Sequence, residues 1–429
     1  MPGSHSHRQL GILSVALITY FNVSGGPWGS EPVLAACGPF VGILAVLLFP
    51  WVWCLPLALT FAELFTAFPT DGSFCKWVGV AFGRPMGFHV GYWSWVSGVI
   101  DNAIYPCLIV DTLLALTLGD KDAMNGEGGV AWSVFAMRAA FAVLFMLPTL
   151  RSIKVVGHTL LVLGVMIFLP FAVLIIYAMP LIEPANWFVI RKDRDWGRLL
   201  SSLYWNYSGF DAAGAYIIPF IAIAGADMPH YTTWDDGSYS VIAQKIGGTW
   251  LCIWVLISSV FGNLGLYVAE MAKDGFQLAG MADSGLAPPY FAHHPAGILH
   301  HRVHGLFDFD TILGIDNFLS ALASLVEMSA AVRMRFSHPE IERPYRVNLS
   351  DRSLLVAMML PFTLGVFIMV NELTKSWTSL LLNGIALTFG YLIQKYIERH
   401  PYHKYAEIIG VPKDLSDLSE ELELLASSQ

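Results

Sequence analysis

The sequence predicts an all-α polytopic membrane protein with about ten spans, two of them broken in mid-bilayer. Three observations carry that prediction. The 429 residues are 55% hydrophobic and only 13% charged, with a mean hydropathy of +0.57, whereas soluble domains carry about a quarter charged residues. The apolar residues fall in runs of about 20 or more, the length needed to cross a bilayer. Two of those runs are interrupted by polar, glycine-containing stretches, which lipid tolerates only where protein or a water-filled cavity satisfies the freed backbone. The net charge of −9 comes with no basic stripe, so nothing points to nucleic acid as a partner. The cysteines (Cys37, Cys54, Cys75, Cys107, Cys252) have neither zinc nor disulfide spacing and read as buried thiols.

In chain order, the candidate spans are 10–36, 39–67, 86–118, 131–149, 155–181, 199–226, 249–271, 313–334, 353–371 and 376–396. A polar start leads into the first with no small-residue cleavage site, so no cleavable signal peptide is expected. The first span breaks at NVSGGPWGSE, where Asn22, Ser24, Gly25, Gly26 and Pro27 stand in mid-run. The sixth breaks at YWNYSGFDAAGAY (204–216), around Ser208, Gly209 and Asp211. Paired interruptions of this kind mark a central binding site, with helix ends exposed at the membrane midplane. The densest basic cluster is Arg333, Arg335, Arg343, Arg346 and Arg352, between the eighth and ninth candidate spans. By the positive-inside rule it is cytoplasmic, and both termini with it. Residues 397–429 form an acidic tail, in which DLSDLSEELELL (414–425) reads as a short amphipathic helix with an acidic dileucine pattern.

A charge at a span's centre costs roughly 2.5–3.5 kcal/mol, yet Glu63, Asp101, Asp111, Asp211, Glu270 and Glu327 all fall in predicted spans. Arg138 and His158 are the basic residues expected there. The carboxylates therefore cannot all be paired internally: some are protonated, or a cation spends time among them. Asp101, with Asn102 and Tyr105, lies near mid-helix, and Asp111 marks a helix end. Asn263 and Glu270 share a helix face, as do Asp316 and Glu327. Glu63 reads equally as an inner gate or a capped helix end. Trp205, between Tyr204 and Tyr207, could offer an ammonium a cation–π wall. His293, His294, His300, His301 and His304 read as a polar loop rather than a metal site.

Several stretches, in order, resemble the amino acid–polyamine–organocation (APC) superfamily, and within it the polyamine and amino-acid permeases of plants and protozoa. NVSGGPWGSE resembles that branch's first unwound segment, SGVIDNAIYP (97–106) its third span and NYSGFDAAGAY its sixth. EMAKDGFQLAG (270–280) resembles the loop after its eighth span, and ERPYRVNL (342–349) the loop between its tenth and eleventh. Two places depart. Tyr216 runs directly into IIPFIAIAGAD (217–227), which resembles only the end of the seventh span, and HHPAGILHHRVHGL (293–306) stands where the ninth belongs. The resemblance implies a LeuT-type fold with discontinuous first and sixth spans, shortened from 12 to about 10 by deletions near 216–217 and 293–306, within one permease domain at 1–396. Residues 199–226 would then form a re-entrant hairpin.

The resemblance further implies a secondary transporter rather than an enzyme. It would take up polyamines or amino acids by alternating access, at the plasma membrane or, as the alternative, at an endomembrane. No cofactor or metal is implied; the partners are the bilayer and a small molecule. Substrate contacts are expected from Asn22, Ser24, Gly25, Gly26, Asp101, Asn102, Tyr105, Trp205, Ser208, Gly209, Asp211 and Glu327. An amino acid's carboxylate would meet the Ser24–Gly26 N–H groups. The fifth-span lysine of proton-coupled members is missing from VLGVMIFLPF (162–171). Asp211, Glu270 and His158 are then the candidates for coupling to H+. Two alternatives stay open: an amino-acid permease without polyamine activity, and a non-transporting sensor or scaffold.

Overall fold

The structure, a computed structural model, describes residues 11–70, 72–118, 125–126, 129–130, 132–151, 153–207, 213–235, 237–293 and 309–399. They form helices α1 (Ile12–Phe21), α2 (Glu31–Cys37), α3 (Pro39–Phe49), α4 (Leu55–Ala67), α5 (Ser73–Phe82), α6 (Arg84–Leu118), α7 (Trp132–Arg151) and α8 (Ile153–Ala178). There follow α9 (Trp196–Asn206), α10 (Ala213–Ala226), α11 (Ser238–Gly247), α12 (Thr249–Asp283), α13 (Tyr290–His293), α14 (Phe309–Ser337), α15 (Asp351–Lys375) and α16 (Trp377–Arg399). A two-residue hairpin, Asn125–Gly126 with Gly129–Val130, lies between α6 and α7. Among the described residues, six helical stretches are long and apolar enough to cross a membrane: Pro39–Ala67, Lys154–Leu181, Thr249–Asp283, Ile312–Ser337, Asp351–Lys375 and Trp377–Arg399. Val356, Met359 and Leu360 on α15 and Leu381, Ile385 and Phe389 on α16 are exposed. Such a continuous apolar surface belongs against lipid.

Pro50 shapes the second span. It has no N–H to continue the helix, and the ladder widens over Pro50–Cys54, with the Leu55 N–H bonding the Pro50 carbonyl five residues back. The chain stays helical from Pro39 to Ala67, the usual form of a π-bulge. At the centre, α6 packs along both α12 and α14.

The first span is interrupted where the sequence places the break. α1 ends at Phe21, α2 begins at Glu31, and Gly26 and Gly29 between them have φ of +116° and +82°, which favour glycine. Gly25 lies directly on α12: a Cβ there would sit 2.9 Å from the Gly262 carbonyl oxygen and 2.5 Å from Leu266. Gly262→Ala should therefore push the break off α12 and destabilise the protein by about 1–3 kcal/mol, read as a lower unfolding midpoint in detergent.

α9 and α10 leave and return to one face. Asp195, at the start of α9, bonds the Ala36 carbonyl, while Glu183 and Asn186 both bond the Gly225 carbonyl near the end of α10. With 11 and 14 residues they rise about 16 and 21 Å, roughly half to two-thirds of a 30 Å hydrocarbon core. α12 starts at this same face, where Trp250 stacks edge-on to Tyr177. It ends at the opposite face, where Arg84 bonds the Gly285 carbonyl. α14 also ends at that opposite face, where Arg335 meets Glu63. α12 and α14 therefore run parallel, and residues 294–308 between them lie outside the described residues. So do Ser208, Gly209, Asp211, His294, His300, His301, His304 and the tail from residue 400; of Asp111 and His293 only the backbone is described.

Glu63 is held by internal partners. Its carboxylate takes the guanidinium of Arg335 (Nε to Oε1, 2.9 Å), lies 3.2 Å from Arg343 Nε, and accepts the Val347 N–H at 2.9 Å. Glu63, read from the sequence as an inner gate or a capped helix end, is thus one span carboxylate that does have internal basic partners. The end of α14 supplies Arg335, 272 residues along the chain, and ERPYRVNL supplies Arg343 and the Val347 N–H by folding back under α4.

Candidate functional site

A cavity of about 530 Å³ lies between the first break, α6, α9, α12 and α14. Its wall runs along α6 from Ser94 to Thr112, about 27 Å of helix rise, so the space is elongated. Ser97 and Asp101 are four residues apart and share the inner face of α6. The Tyr105 hydroxyl and the Trp205 indole N–H (3.3 Å) both donate to the Asp101 carboxylate. The Ser97 hydroxyl donates to Asp316 on α14, which sets a second carboxylate against the same stretch of α6. Lower on α12, the Lys273 ammonium lies 2.6 Å from Glu270, with its side chain 44% exposed. Asn263 and Glu270, two turns apart, line the same wall. Among the described residues, three carboxylates and one ammonium thus face the cavity, among Trp53, Leu57, Phe61 and Trp205.

Behind this wall lies Asp274, fully buried. It accepts from Asn102 Nδ2 at 3.1 Å and is 3.9 Å from Lys273. Gly98 makes room for it: a Cβ there would come within 2.5 Å of Oδ2.

The first break lines the cavity with Asn22, Ser24, Gly25 and Gly26. Two of its amides are engaged, however. Ser24 N–H bonds the Tyr20 carbonyl at 2.9 Å, and Gly26 N–H bonds Ser24 Oγ at 3.2 Å. At the start of α2, Gly29 N–H is taken by the Glu31 carboxylate at 2.7 Å, so the chain's own acid occupies the positive end of that helix. The expectation that the Ser24–Gly26 N–H groups await a carboxylate is corrected for Ser24 and Gly26, whose N–H groups already have acceptors.

Of the other expected contacts, Asp101, Tyr105, Trp205 and Glu270 are brought together in the cavity. Asn102 turns away to Asp274. Glu327 is buried and is not part of the wall; it lies three residues past the lining Ser324, towards the Arg335 end of α14. His158 is exposed, is not part of the wall, and contacts its own helix at the Lys154 carbonyl. Sequence reasoning missed Ser97, Lys273, Asp274 and Asn317 as parts of the site and gave Asp316 no role. EMAKDGFQLAG was expected as a loop, but α12 continues through it to Asp283, and this continuation brings Lys273 inside. The signal was present: Glu270, Asp274 and Gln277 follow the helical spacing of four and three residues.

A family model described as amino acid permease matches residues 10–236. The chain is 33% identical to polyamine transporter PUT1 of Oryza sativa subsp. japonica over 452 residues, covering 96% of this chain and 83% of that protein. Against polyamine transporter RMV1 of Arabidopsis thaliana it is 29% identical, covering 94% and 89%. A more distant likeness, at 22% identity, covers 73% of this chain and 78% of the methylthioribose transporter of Bacillus subtilis (strain 168). With these matches the broken first span and the cavity beside it acquire a context, and the chain belongs to the amino acid permease family, whose members are transporters rather than enzymes.

Proposed function

We propose that this permease carries polyamines across the membrane by alternating access in a LeuT-type arrangement of about ten crossings. The observation that carries the reading is the cavity's charge and shape: an elongated space with Asp101 and Asp316 in one part, Glu270 further along, and, among the described residues, a single ammonium, Lys273. A linear di- or triamine can place an ammonium at Asp101 and Asp316 and reach towards Glu270, with its methylenes against Trp53, Leu57 and Phe61. Lys273 then acts as an internal cation that shares Glu270 with the cargo. The relatives named as polyamine transporters support the same choice. The positive-inside rule puts the Arg335 face in the cytoplasm, and the plasma membrane is the location this reading favours. The driving ion is a proton.

An amino-acid substrate is the second reading, and a specific observation weighs against it. Of the Ser24–Gly26 donors that would hold its carboxylate, those on Ser24 and Gly26 already have internal acceptors, as does the Gly29 N–H at the start of α2. Uptake of labelled putrescine and of labelled arginine into proteoliposomes with an imposed proton gradient separates the two. Putrescine accumulation that collapses when the gradient is dissipated is the expected result. Arginine uptake without putrescine uptake sinks the polyamine assignment, and no uptake of either leaves the sensor or scaffold reading.

A further inference from the structure

Asp316, Ser320 and Ser324 of α14 line the cavity. At 3.6 residues per turn, Glu327 comes back to within about 20° of Asp316 around the helix, so it continues the same face about 16 Å further along. A helical side chain leans towards the start of its own helix, which aims the Glu327 carboxylate back at Ser324 and the end of the cavity. Tyr204 of α9 stands between the two acids. Its hydroxyl bonds Ser320 Oγ at 3.1 Å, and the charges of Asp316 and Glu327 both act on it. On the other flank, Phe61 of the cavity wall packs against Trp77 of α5, with ring centroids 5.9 Å apart. Both rings join Ala323, Val326 and Ala330 of α14 in one cluster, so the aromatic pair stands beside Glu327 where the cavity ends. Glu327 is 9% exposed and, among the described residues, its carboxylate forms no hydrogen bond or ion pair. Burial of such a group costs free energy that a cation beside it offsets. Arg335 and Arg343 are committed to Glu63, and Lys273 to Glu270.

We propose that Glu327 is a second ammonium site of this cavity, and that it selects long polyamines, whose two ends reach from Asp316 to Glu327. An extended chain advances about 3.6 Å per three bonds. A tetraamine with thirteen bonds between its end nitrogens, such as spermine, therefore spans about 16 Å, which matches the rise from Asp316 to Glu327. Putrescine, with five bonds, spans about 6 Å and stays at one end. The inner amines of the long chain pass the Ser320 and Ser324 hydroxyls, whose oxygens can accept from them. Its methylenes lie along Phe61. To seat the far ammonium, the Phe61 and Trp77 rings move aside at the end of the cavity. Glu270 offers a long cargo less, because Lys273 already lies 2.6 Å from it.

The inference rests on the polyamine reading for its cargo, so one measurement is chosen to be independent of cargo. In Ser324→Cys, the introduced thiol is treated with a cationic reagent, aminoethyl methanethiosulfonate, and with its neutral methyl counterpart. The cationic-to-neutral rate ratio at residue 324, read by mass spectrometry, should fall roughly threefold or more when Glu327→Gln is added. A ratio that the second substitution leaves unchanged, or a thiol that neither reagent reaches, overturns the site whatever the protein carries. Transport gives the second reading. Glu327→Gln should raise the half-saturation concentration for spermine roughly fivefold or more, and that for putrescine by less than about twofold. Glu327→Asp, which keeps the charge, should retain most of the wild-type preference for spermine. Equal effects of Glu327→Gln on both amines, or no effect on either, overturn the length selection. Where the glutamine variant fails to fold, linear diamines of graded length decide in the wild type. Their inhibition of putrescine uptake should peak near thirteen bonds, whereas a steady gain with each added methylene is plain apolar burial and overturns the proposal. Failure of the wild type to take up any of these amines counts against the polyamine reading and leaves the thiol ratio to decide on Glu327.

Discussion

Asp101→Asn should raise the half-saturation concentration for putrescine roughly tenfold to a hundredfold while protein yield stays unchanged. Asp101 takes a hydroxyl from Tyr105 on one oxygen and an indole N–H from Trp205 on the other. Asparagine can keep both contacts: its oxygen accepts from Trp205, which only donates, and its NH2 donates to the Tyr105 oxygen, which can also accept. The wall therefore keeps its shape, and what is lost is charge. A hydrogen bond between a charged pair is worth about 1.5–3 kcal/mol, and each 1.4 kcal/mol is a factor of about ten in affinity. Asp316→Asn should act in the same direction, since its partner Ser97 can also serve as donor or acceptor. The double variant should lose less than the product of the two, because both carboxylates face one stretch of α6 and share one ammonium. Labelled-putrescine uptake at graded concentrations is the measurement. A value within about twofold of wild type for Asp101→Asn is too small for a charge-assisted contact, and it removes Asp101 from cation recognition.

What the sequence made legible follows from how strictly lipid constrains a chain. The long apolar runs and the break at Asn22–Gly26 could be read directly, because bilayer thickness fixes the one and unsatisfied backbone penalises the other. Asp101, Tyr105 and Glu270 could be picked out because a carboxylate or phenol inside a span needs a reason to be there. Partnership could not be read. Asn102 adjoins Asp101 in sequence, but one residue along a helix is about 100° around it, and Asn102 serves Asp274 on another helix. Lys273 was hidden for a different reason. A polar stretch after an apolar run ordinarily means a loop, whereas here Asp274 and Gln277 bond Asn102 and the Gly91 carbonyl of α6. These contacts hold the helix and bring a cation into the wall. Glu63 and Arg335 illustrate the same limit at long range, since no local pattern joins residues 272 apart.

That pair carries the largest stability effect expected in this chain. The Arg335 side chain is 1% exposed and that of Glu63 3%, so neither charge has water to fall back on. All five guanidinium donors are committed. Nε and Nη2 hold the two Glu63 oxygens, Nη2 also reaches the Val347 carbonyl, and Nη1 reaches the Leu349 carbonyl and Asp351. Removing one member of a buried pair costs about 3–5 kcal/mol, because the other charge is left bare. Arg335→Ala should therefore lower the unfolding midpoint in detergent sharply and reduce the amount of protein reaching the membrane. Arg343, 3.2 Å from Glu63, covers part of the exposed charge and keeps the loss towards the lower end. Arg335→Lys should be nearly as damaging, since three donors on a point charge cannot fill a five-donor fork. Joint replacement, Glu63→Leu with Arg335→Met, removes both charges, and its cost should be well below the sum of Glu63→Leu and Arg335→Met taken singly. It should not return to wild type, because the Val347 and Leu349 carbonyls lose their donors at about 1–3 kcal/mol each. If the three variants instead show simple additivity, Glu63 and Arg335 are energetically independent, and the pair does not hold α4 to α14.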